Sequence, residues 1–126
     1  MWQLYQFPLC PFTRKVRILL GEKDVGYELI REMPWARRDE FVDLNPAAQT
    51  PVMVDAERGT VLIDSMAICE YFEETVERSA MINGSAANRA EIRRLVGGHM
   101  GVVIDTGLVD RWCPSMTWGE SRIDAV

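Results

Sequence analysis

The chain has 126 residues, of which 48% are hydrophobic and 26% charged, and its formal net charge is −5. This length can bury one sizeable hydrophobic core but not two, so only one complete domain is predicted. The basic residues are mixed with acids and form no cationic stripe of the kind that releases counterions from nucleic acid. Nucleic acid is therefore excluded as a predicted partner.

No apolar run approaches the roughly 20 residues of a membrane helix, and the first residues lack the basic start and apolar stretch of a secretion signal. We therefore expect a cytoplasmic protein with no membrane partner. The cysteines are Cys10, Cys69 and Cys113, an odd set without short Cys-x-x-Cys or Cys/His spacing. This pattern indicates neither a disulfide framework nor a metal site.

The first predicted elements alternate between strand and helix. The short aromatic-rich segment 2–7 predicts a strand, and the one-sided apolar pattern of residues 11–23 predicts an amphipathic helix. Residues 27–31 predict a second strand. Residues 37–44 predict a short helix, which Asn45-Pro46 ends because the residue before a proline disfavours helical backbone angles.

Two apolar runs follow, over residues 51–55 and 60–63, joined by four residues of which the last is glycine. This spacing predicts an antiparallel hairpin. A third helix is predicted directly after Asp64-Ser65, with its glutamates, including Glu73, exposed to solvent. The resulting order, βαβαββα, predicts an α/β fold with a mixed sheet covered by helices.

A fourth helix is predicted to begin at about Ser85 and to continue to Val96. The segment 97–126 then holds five of the nine glycines and only six charges, and shows no sustained helical or alternating pattern. It is therefore predicted to be an irregular tail, with His99 as a loop residue rather than a base.

Cys10-Pro11 stands where the first strand gives way to the first helix. Proline is favoured at the first helical position because its missing N–H would have no partner there, which places Cys10 at the N-cap. Free backbone N–H groups, the positive end of the helix dipole, and the nearby Arg14 and Lys15 favour thiolate over thiol. This location favours a reactive cysteine, and an inert small residue at a strand end is the alternative.

Two further motifs are candidates for ligand binding. Proline cannot serve a central strand ladder, so Thr50-Pro51 indicates an edge, a turn or a cis bond. A cis bond would direct the Thr50 N–H and C=O outward beside Cys10, where an extended peptide could pair with them, whereas a trans proline at a strand entrance is equally compatible. Ser65 has the chemistry of a helix cap, and an exposed cap can also bind a carboxylate. Simple capping explains most Asp-Ser pairs, so Asp64-Ser65 indicates function only together with the other two motifs.

Four ordered motifs resemble a known family: Cys10 to Arg17, Asn45-Pro46, Thr50-Pro51-Val52 and Asp64 to Ile68. They are similar to the N-terminal thioredoxin-like domain of glutathione S-transferases, especially bacterial members related to the cysteine-type omega class. The resemblance implies a thioredoxin-like, glutathione-binding domain over residues 1–80. Over residues 81–126 it implies a linker, the first helix of a truncated helical domain and an irregular tail.

The resemblance also implies roles for individual residues. Cys10 matches the catalytic position, which forms a mixed disulfide with glutathione or steadies the glutathione thiolate. Thr50 matches the residue whose backbone pairs with the cysteinyl part of glutathione, and Pro51 matches the family's cis proline. Asp64 and Ser65 match the acidic and hydroxyl pair that holds the γ-glutamyl group. No motif fixes the partner of the glycyl carboxylate, for which the candidates are Gln49, Arg37 and Lys15.

The implied function is a glutathione-binding transferase, with glutathione as co-substrate, a small electrophile or disulfide as second substrate, and a homodimer as the assembly. Thr13 stands in place of a second cysteine, so a mixed disulfide must be resolved by a second glutathione. Family members continue into a longer helical domain, and the change of character after Val96 is what a frame change or truncation would produce. The alternative function is a non-catalytic glutathione-binding or interaction module, or an inactive remnant.

Overall fold

A four-stranded sheet forms the centre of the computed structural model, which describes the backbone of residues 1–105 and the side chains of residues 1–97. The strand order is β2-β1-β3-β4. Strand β1 runs parallel to β2 and antiparallel to β3, and β3 runs antiparallel to β4. The predicted mixed sheet and hairpin are therefore confirmed. The strands are β1 (Trp2–Gln6), β2 (Tyr27–Arg31), β3 (Val52–Asp55) and β4 (Thr60–Ile63).

Within residues 1–105, four α-helices accompany the sheet: α1 (Pro11–Glu22), α2 (Asp39–Leu44), α3 (Ser65–Thr75) and α4 (Ala86–Asp105). The order βαβαββα, followed by α4, confirms the predicted thioredoxin-like α/β arrangement. Helix α2 begins two residues later than predicted, because Arg37 has a left-handed backbone with φ of 47°. Within residues 1–105, no helix combines the length and apolar character needed to cross a membrane.

The core lies on both faces of the sheet. Side chains alternate between the two faces of a strand, so Leu4 and Met53 lie on one face while Tyr5 and Val52 lie on the other. On the second face, Phe41 of α2 packs in the cluster with Val52 and stacks on Tyr5 with ring centroids 6.0 Å apart. The first face is covered by residues of α1 and α3, namely Val16, Leu19, Leu20, Ile68 and Phe72.

The fourth helix continues beyond the point at which the sequence predicted its end. Helix α4 includes residues 97–105, so this segment, with His99, is helical and the prediction of an irregular segment there is wrong. A glycine in a helix interior costs about 1 kcal/mol relative to alanine, which weakens a helix without necessarily ending it. Gly97 and Gly98 were therefore wrongly expected to end the helix. The prediction for residues 106–126, including Cys113, lies outside the described residues.

The side chain of Glu73 is mostly enclosed, which corrects the prediction that it is exposed. Its Oε2 lies 2.9 Å from Nζ of Lys23, and the two side chains are 7% and 0% exposed. The same ammonium donates to three carbonyl oxygens in the segment 76–79. The other carboxylate oxygen of Glu73 accepts hydrogen bonds from the N–H groups of Met81 and Ile82. This buried pair therefore ties the segment after α3 to the end of α1.

Candidate functional site

Three strand ends meet at one edge of the sheet. Val52, the first residue of β3, is opposite Tyr5 near the end of β1 and opposite Ile63 at the end of β4. Because β3 is antiparallel to both neighbours, the end of β1, the start of β3 and the end of β4 lie side by side. The segments that adjoin these strand ends carry the three candidate motifs, at Cys10, Thr50-Pro51 and Asp64-Ser65.

A cavity of about 220 Å³ opens at this edge. Of the three candidates for the glycyl carboxylate, only Gln49 lines it. Arg37 is not among its lining residues, and Lys15 lines a different cavity together with Cys69. The structure therefore brings five of the six predicted site residues to one cavity, whose lining residues are Phe12, Asn45, Ala47, Gln49, Thr50, Pro51, Ile63, Asp64 and Ser65.

Cys10 is the N-cap of α1 and contacts Thr50, one of the residues that line the cavity. Its Sγ accepts a hydrogen bond from the backbone N–H of Thr13 at 3.4 Å, and its S–H donates to the carbonyl oxygen of Thr50 at 3.7 Å. The residue has 0% exposure and does not line the cavity. The sulfur therefore adjoins the Thr50 segment but is enclosed, and a reagent can reach it only when neighbouring groups move.

The peptide bond between Thr50 and Pro51 is cis, which decides between the two alternatives left by the sequence. Thr50 is buried, and its Oγ1 makes no hydrogen bond within the part of the chain that the structure describes. Burying a hydroxyl without a partner is unfavourable, because its hydrogen bonds to water are lost without replacement. Thr50, which lines the cavity, thus carries a polar atom whose hydrogen-bonding capacity is unmet within the described residues.

Asp64 caps α3, whereas the sequence analysis assigned the cap to Ser65. Oδ1 of Asp64 accepts a hydrogen bond from the N–H of Met66 at 3.0 Å, and Ser65 is the first helical residue. A helix N-terminus offers N–H groups and a positive dipole end to an anion, while the Asp64 carboxylate suits a cation. The pair can therefore bind a group that carries both charges, such as the ammonium and carboxylate of an amino acid.

Asn45 lies at the site, although the sequence analysis assigned it no role there beyond ending a helix and belonging to one of the four family-like motifs. Its amide Nδ2 donates to the carbonyl oxygen of Gln49 at 2.9 Å, and its Oδ1 accepts from the N–H of Ala47 at 3.1 Å. It is buried and lines the cavity. Asparagine side chains commonly bond to the backbone two residues further on, and this tendency could have identified Asn45 as the organiser of the loop before β3.

A second cavity, also of about 220 Å³, separates α1 and α3 from α4. Cys69 lines it and is partly buried, close to the packed position that the sequence indicated. Burial raises the pKa of the Cys69 thiol, and the nearby Lys15 ammonium offsets part of that rise. Burial disfavours the charged thiolate because it removes solvating water, whereas the positive charge of Lys15 attracts the thiolate and favours it.

Residues 4–80, more than half of the chain, match the family described as "Glutathione S-transferase, N-terminal domain". FtsZ-localized protein A of Caulobacter vibrioides is 38% identical over 95 residues, which cover 74% of this chain and 42% of that protein. The GST-like protein YibF of Escherichia coli is 34% identical over 99 residues, or 79% of this chain and 48% of that protein. The chain thus spans less than half the length of these two relatives.

The fold comparison gives the same result. The crystal structure of a glutathione S-transferase from Rhodospirillum rubrum superposes with a TM-score of 0.74 at 40% sequence identity. The alignment covers 86% of this chain and 46% of that one. The family match over residues 4–80 contains every residue that lines the cavity beside β3.

Proposed function

This chain belongs to the glutathione S-transferase family through its N-terminal domain, and on that premise we propose that it binds glutathione in the cavity beside the start of β3 and α3. The observation that supports this proposal is the convergence of five predicted residues on one cavity of about 220 Å³. A tripeptide with two carboxylates, an ammonium and a thiol needs N–H donors, a backbone edge and a nearby site for sulfur. The groups around the cavity include each of these.

Each part of glutathione has a partner in this proposal. The Asp64 carboxylate pairs with the ammonium, while the Ser65 hydroxyl and the first N–H groups of α3 bind the γ-glutamyl carboxylate. The Thr50 backbone pairs with the cysteinyl part, and the Gln49 side chain binds the glycyl carboxylate. Because Sγ of Cys10 is 3.7 Å from the Thr50 oxygen, the glutathione sulfur comes close to Cys10 in this placement.

The proposed reaction is thiol–disulfide exchange on a mixed disulfide between glutathione and a small thiol. The Cys10 thiolate attacks the glutathione sulfur, so a bond forms between these sulfurs while the original disulfide breaks and the small thiol leaves as thiolate and takes up a proton. The thiolate of a second glutathione then attacks the Cys10 mixed disulfide. This step releases the Cys10 thiolate and glutathione disulfide, so the substrate is reduced and glutathione is oxidised.

Conjugation is the second form of the same proposal. Cys10 then forms no covalent bond, and its S–H donates a hydrogen bond that steadies the glutathione thiolate while that sulfur bonds to a small electrophile and displaces its leaving group. The two forms differ in one measurable respect, since only exchange passes through a disulfide on Cys10.

One observation favours a different class of function, a non-catalytic glutathione-binding or interaction module. Cys10 has no exposed surface, and a nucleophile that is enclosed reacts only after a local opening. The name of the 38% identical relative, FtsZ-localized protein A, states a location rather than a reaction. Binding without turnover would support this second candidate for the present chain.

Calorimetric titration of the full chain with glutathione tests the binding step. The matched control is the dipeptide cysteinylglycine, which lacks the γ-glutamyl group and is expected to bind more weakly. Sedimentation of the same samples reports the proposed homodimer. Binding with turnover supports the enzyme, binding without turnover supports the module, and aggregation without binding supports a remnant and overturns the proposal.

Cysteine variants then separate the two reaction forms. Cys10→Ser is expected to lower thiol-exchange turnover by about a hundredfold or more, because a serine hydroxyl does not replace a thiolate in disulfide exchange. Cys69→Ser, at the other cavity, is the matched control and is expected to keep turnover. Mass spectrometry of the wild type incubated with glutathione disulfide is expected to show one adduct on Cys10. Full turnover in Cys10→Ser would exclude the nucleophilic role.

A further inference from the structure

We propose that Asn45 is a positioning residue, which holds the peptide unit between Gln49 and Thr50 so that the Thr50 N–H is available to a bound ligand. This inference rests on the proposed glutathione site and concerns how the chain presents that site. The residue does not need to touch glutathione for this role, since it acts through the backbone of its neighbours.

Asn45 closes the loop between α2 and β3 with all four of its polar groups. Its backbone N–H donates to the Phe41 carbonyl at 2.9 Å, and its backbone carbonyl accepts from the Ala48 N–H at 2.8 Å. Its side chain donates to the Gln49 carbonyl and accepts from the Ala47 N–H. Hydrogen bonds to a buried side chain of this kind leave the loop little freedom, because each lost bond would leave an unsatisfied buried group.

The consequence for Thr50 follows from peptide geometry. The carbonyl and N–H of one trans peptide unit point in opposite directions. Since the Gln49 carbonyl is held by the Asn45 amide, the N–H of Thr50 is turned away from that amide. Within the described residues no hydrogen bond occupies this N–H, and Thr50 lines the cavity. The loop thus keeps a backbone donor unoccupied in the position that the proposed cysteinyl contact needs.

The conformation of Ala48 shows how tightly the loop is set. This residue is fully buried and has a left-handed backbone with φ of 54°. A left-handed conformation is unfavourable for an alanine, so the surrounding hydrogen bonds must stabilise it. Without the Asn45 side chain the turn can relax toward commoner angles, and the adjoining Gln49–Thr50 peptide would rotate with it.

Asp55, at the other end of β3, is a matched control position for Asn45. Asp55 is also buried, and its Oδ1 accepts hydrogen bonds from the N–H groups of Glu57 and Arg58, so it closes the hairpin turn as Asn45 closes the loop before β3. Asp55 does not line the cavity. Loss of the Asp55 side chain therefore reproduces the structural damage without changing the proposed site.

The test compares Asn45→Ala, Asn45→Asp and Asp55→Ala with the wild type by glutathione titration and thermal unfolding. Asn45→Asp keeps the oxygen that accepts from Ala47 but loses the donor to Gln49, so it isolates that donor. Both Asn45 variants are expected to raise the Kd for glutathione about fivefold, since one hydrogen bond contributes about 1 kcal/mol. Asp55→Ala is expected to unfold at a lower temperature while its Kd stays within about twofold of the wild type.

Amide NMR of the wild type gives a second measurement that does not depend on the variants' folding. Saturating glutathione is expected to shift the Thr50 amide signal, and a signal that stays in place would overturn the inference. Equal losses of affinity in Asn45→Ala and Asp55→Ala, or an unchanged Kd in Asn45→Asp, would overturn it as well. Absence of glutathione binding by the wild type would instead overturn the proposed function on which the inference rests.

Discussion

The Sγ atom of Cys10 lies 3.7 Å from the carbonyl oxygen of Thr50, although 40 residues separate them in the chain. The antiparallel pairing of β1 with β3 produces this contact, because it places the end of one strand beside the start of the other. The thiol and the segment proposed to bind the glutathione backbone therefore share one local environment. A change that moves the Thr50 carbonyl also changes the surroundings of the sulfur.

Asp64 caps α3 and is proposed to bind the glutathione ammonium. The variants Asp64→Asn and Asp64→Ala can distinguish these two roles. Asparagine keeps the side-chain oxygen that accepts from Met66 and caps a helix about as well as aspartate, so Asp64→Asn is expected to unfold near the wild-type temperature. Asp64→Ala loses the cap and is expected to cost about 1 kcal/mol of unfolding free energy.

Both Asp64 variants remove the charge proposed to pair with the glutathione ammonium. The Kd for glutathione is expected to rise about tenfold in each, as loss of a charge-assisted hydrogen bond implies. Calorimetry measures the Kd, and urea titration measures the stability. Wild-type affinity in Asp64→Asn would contradict the proposed contact.

The buried pair between Lys23 and Glu73 is expected to be important for folding. Lys23→Met leaves a buried carboxylate without its cation and removes three hydrogen bonds to carbonyl groups, at an expected cost of about 3–5 kcal/mol in the free energy of unfolding. Urea titration monitored by circular dichroism measures this cost. The double variant Lys23→Met/Glu73→Gln is expected to lose less than the sum of the single losses, because the two side chains interact directly.

An exposed ion pair provides the control for that experiment. Arg78 Nη1 lies 3.0 Å from Asp24 Oδ2, and both side chains are mostly exposed. Arg78→Met should change stability little, since solvent screens such pairs. A loss in Lys23→Met no larger than that in Arg78→Met would show that the buried pair is dispensable.

The pair of Lys23 and Glu73 predicts that the stability of the fold depends on pH. Burial opposes ionisation of Glu73, but the N–H of Ile82, the Lys23 ammonium and the N–H of Met81 outweigh it, so the pKa of Glu73 lies below its ordinary value. A carboxyl whose pKa is lower in the folded state contributes its stability above the unfolded-state pKa, and this contribution is lost as the pH falls through the folded-state pKa.

The difference in unfolding free energy between wild type and Glu73→Gln is therefore expected to shrink on acidification from about pH 6 to pH 3, around the ordinary glutamate pKa of about 4.3. Urea titrations at several pH values measure it. A difference that stays constant over that interval would contradict the assignment.

Cys69 offers a test of the second cavity. Because burial raises the pKa of its thiol and the Lys15 ammonium partly offsets the rise, Lys15→Met is expected to raise that pKa further. Alkylation of the Cys69 peptide against pH, followed by mass spectrometry, reports the change as a midpoint at higher pH. Arg17→Met, on the same helix, is the control and is expected to leave the midpoint unchanged. An unaltered midpoint in Lys15→Met would show that the Lys15 ammonium does not lower the pKa of the Cys69 thiol.

Periodicity and turn residues predicted most of the fold. The one-sided apolar pattern of α1 and the spacing of the β3–β4 hairpin are local signals, and both elements formed where those signals indicated. Helix α4 was predicted to end too early because Gly97 and Gly98 have low helix propensity. Low propensity at two positions weakens a helix but does not necessarily end it. Glu73 was misjudged since its partner Lys23 is 50 residues away, and a pattern of charges along one helix contains no information about such a pairing.

The sequence predicted which residues gather at the candidate site better than it predicted their burial and hydrogen bonding. Short motifs identified Thr50-Pro51 and Asp64-Ser65, and strand pairing brought them to one cavity. The enclosure of Cys10 depends on tertiary packing, which includes its contact with Thr50 40 residues away, so the dipeptide Cys10-Pro11 could not predict it. The choice of Asp64 over Ser65 as the cap depends on the backbone angles at the start of α3, where Asp64 has φ of 80°.

The Lys23 ammonium donates to the carbonyl oxygens of Val76, Arg78 and Ser79, which fastens the segment after α3 to the end of α1. Arg93 of α4 also donates two hydrogen bonds to the Glu70 carboxylate of α3, from Nε to Oε1 and from Nη2 to Oε2. Helix α4 is therefore joined to the sheet domain through α3, and separating the two would require this ion pair to break.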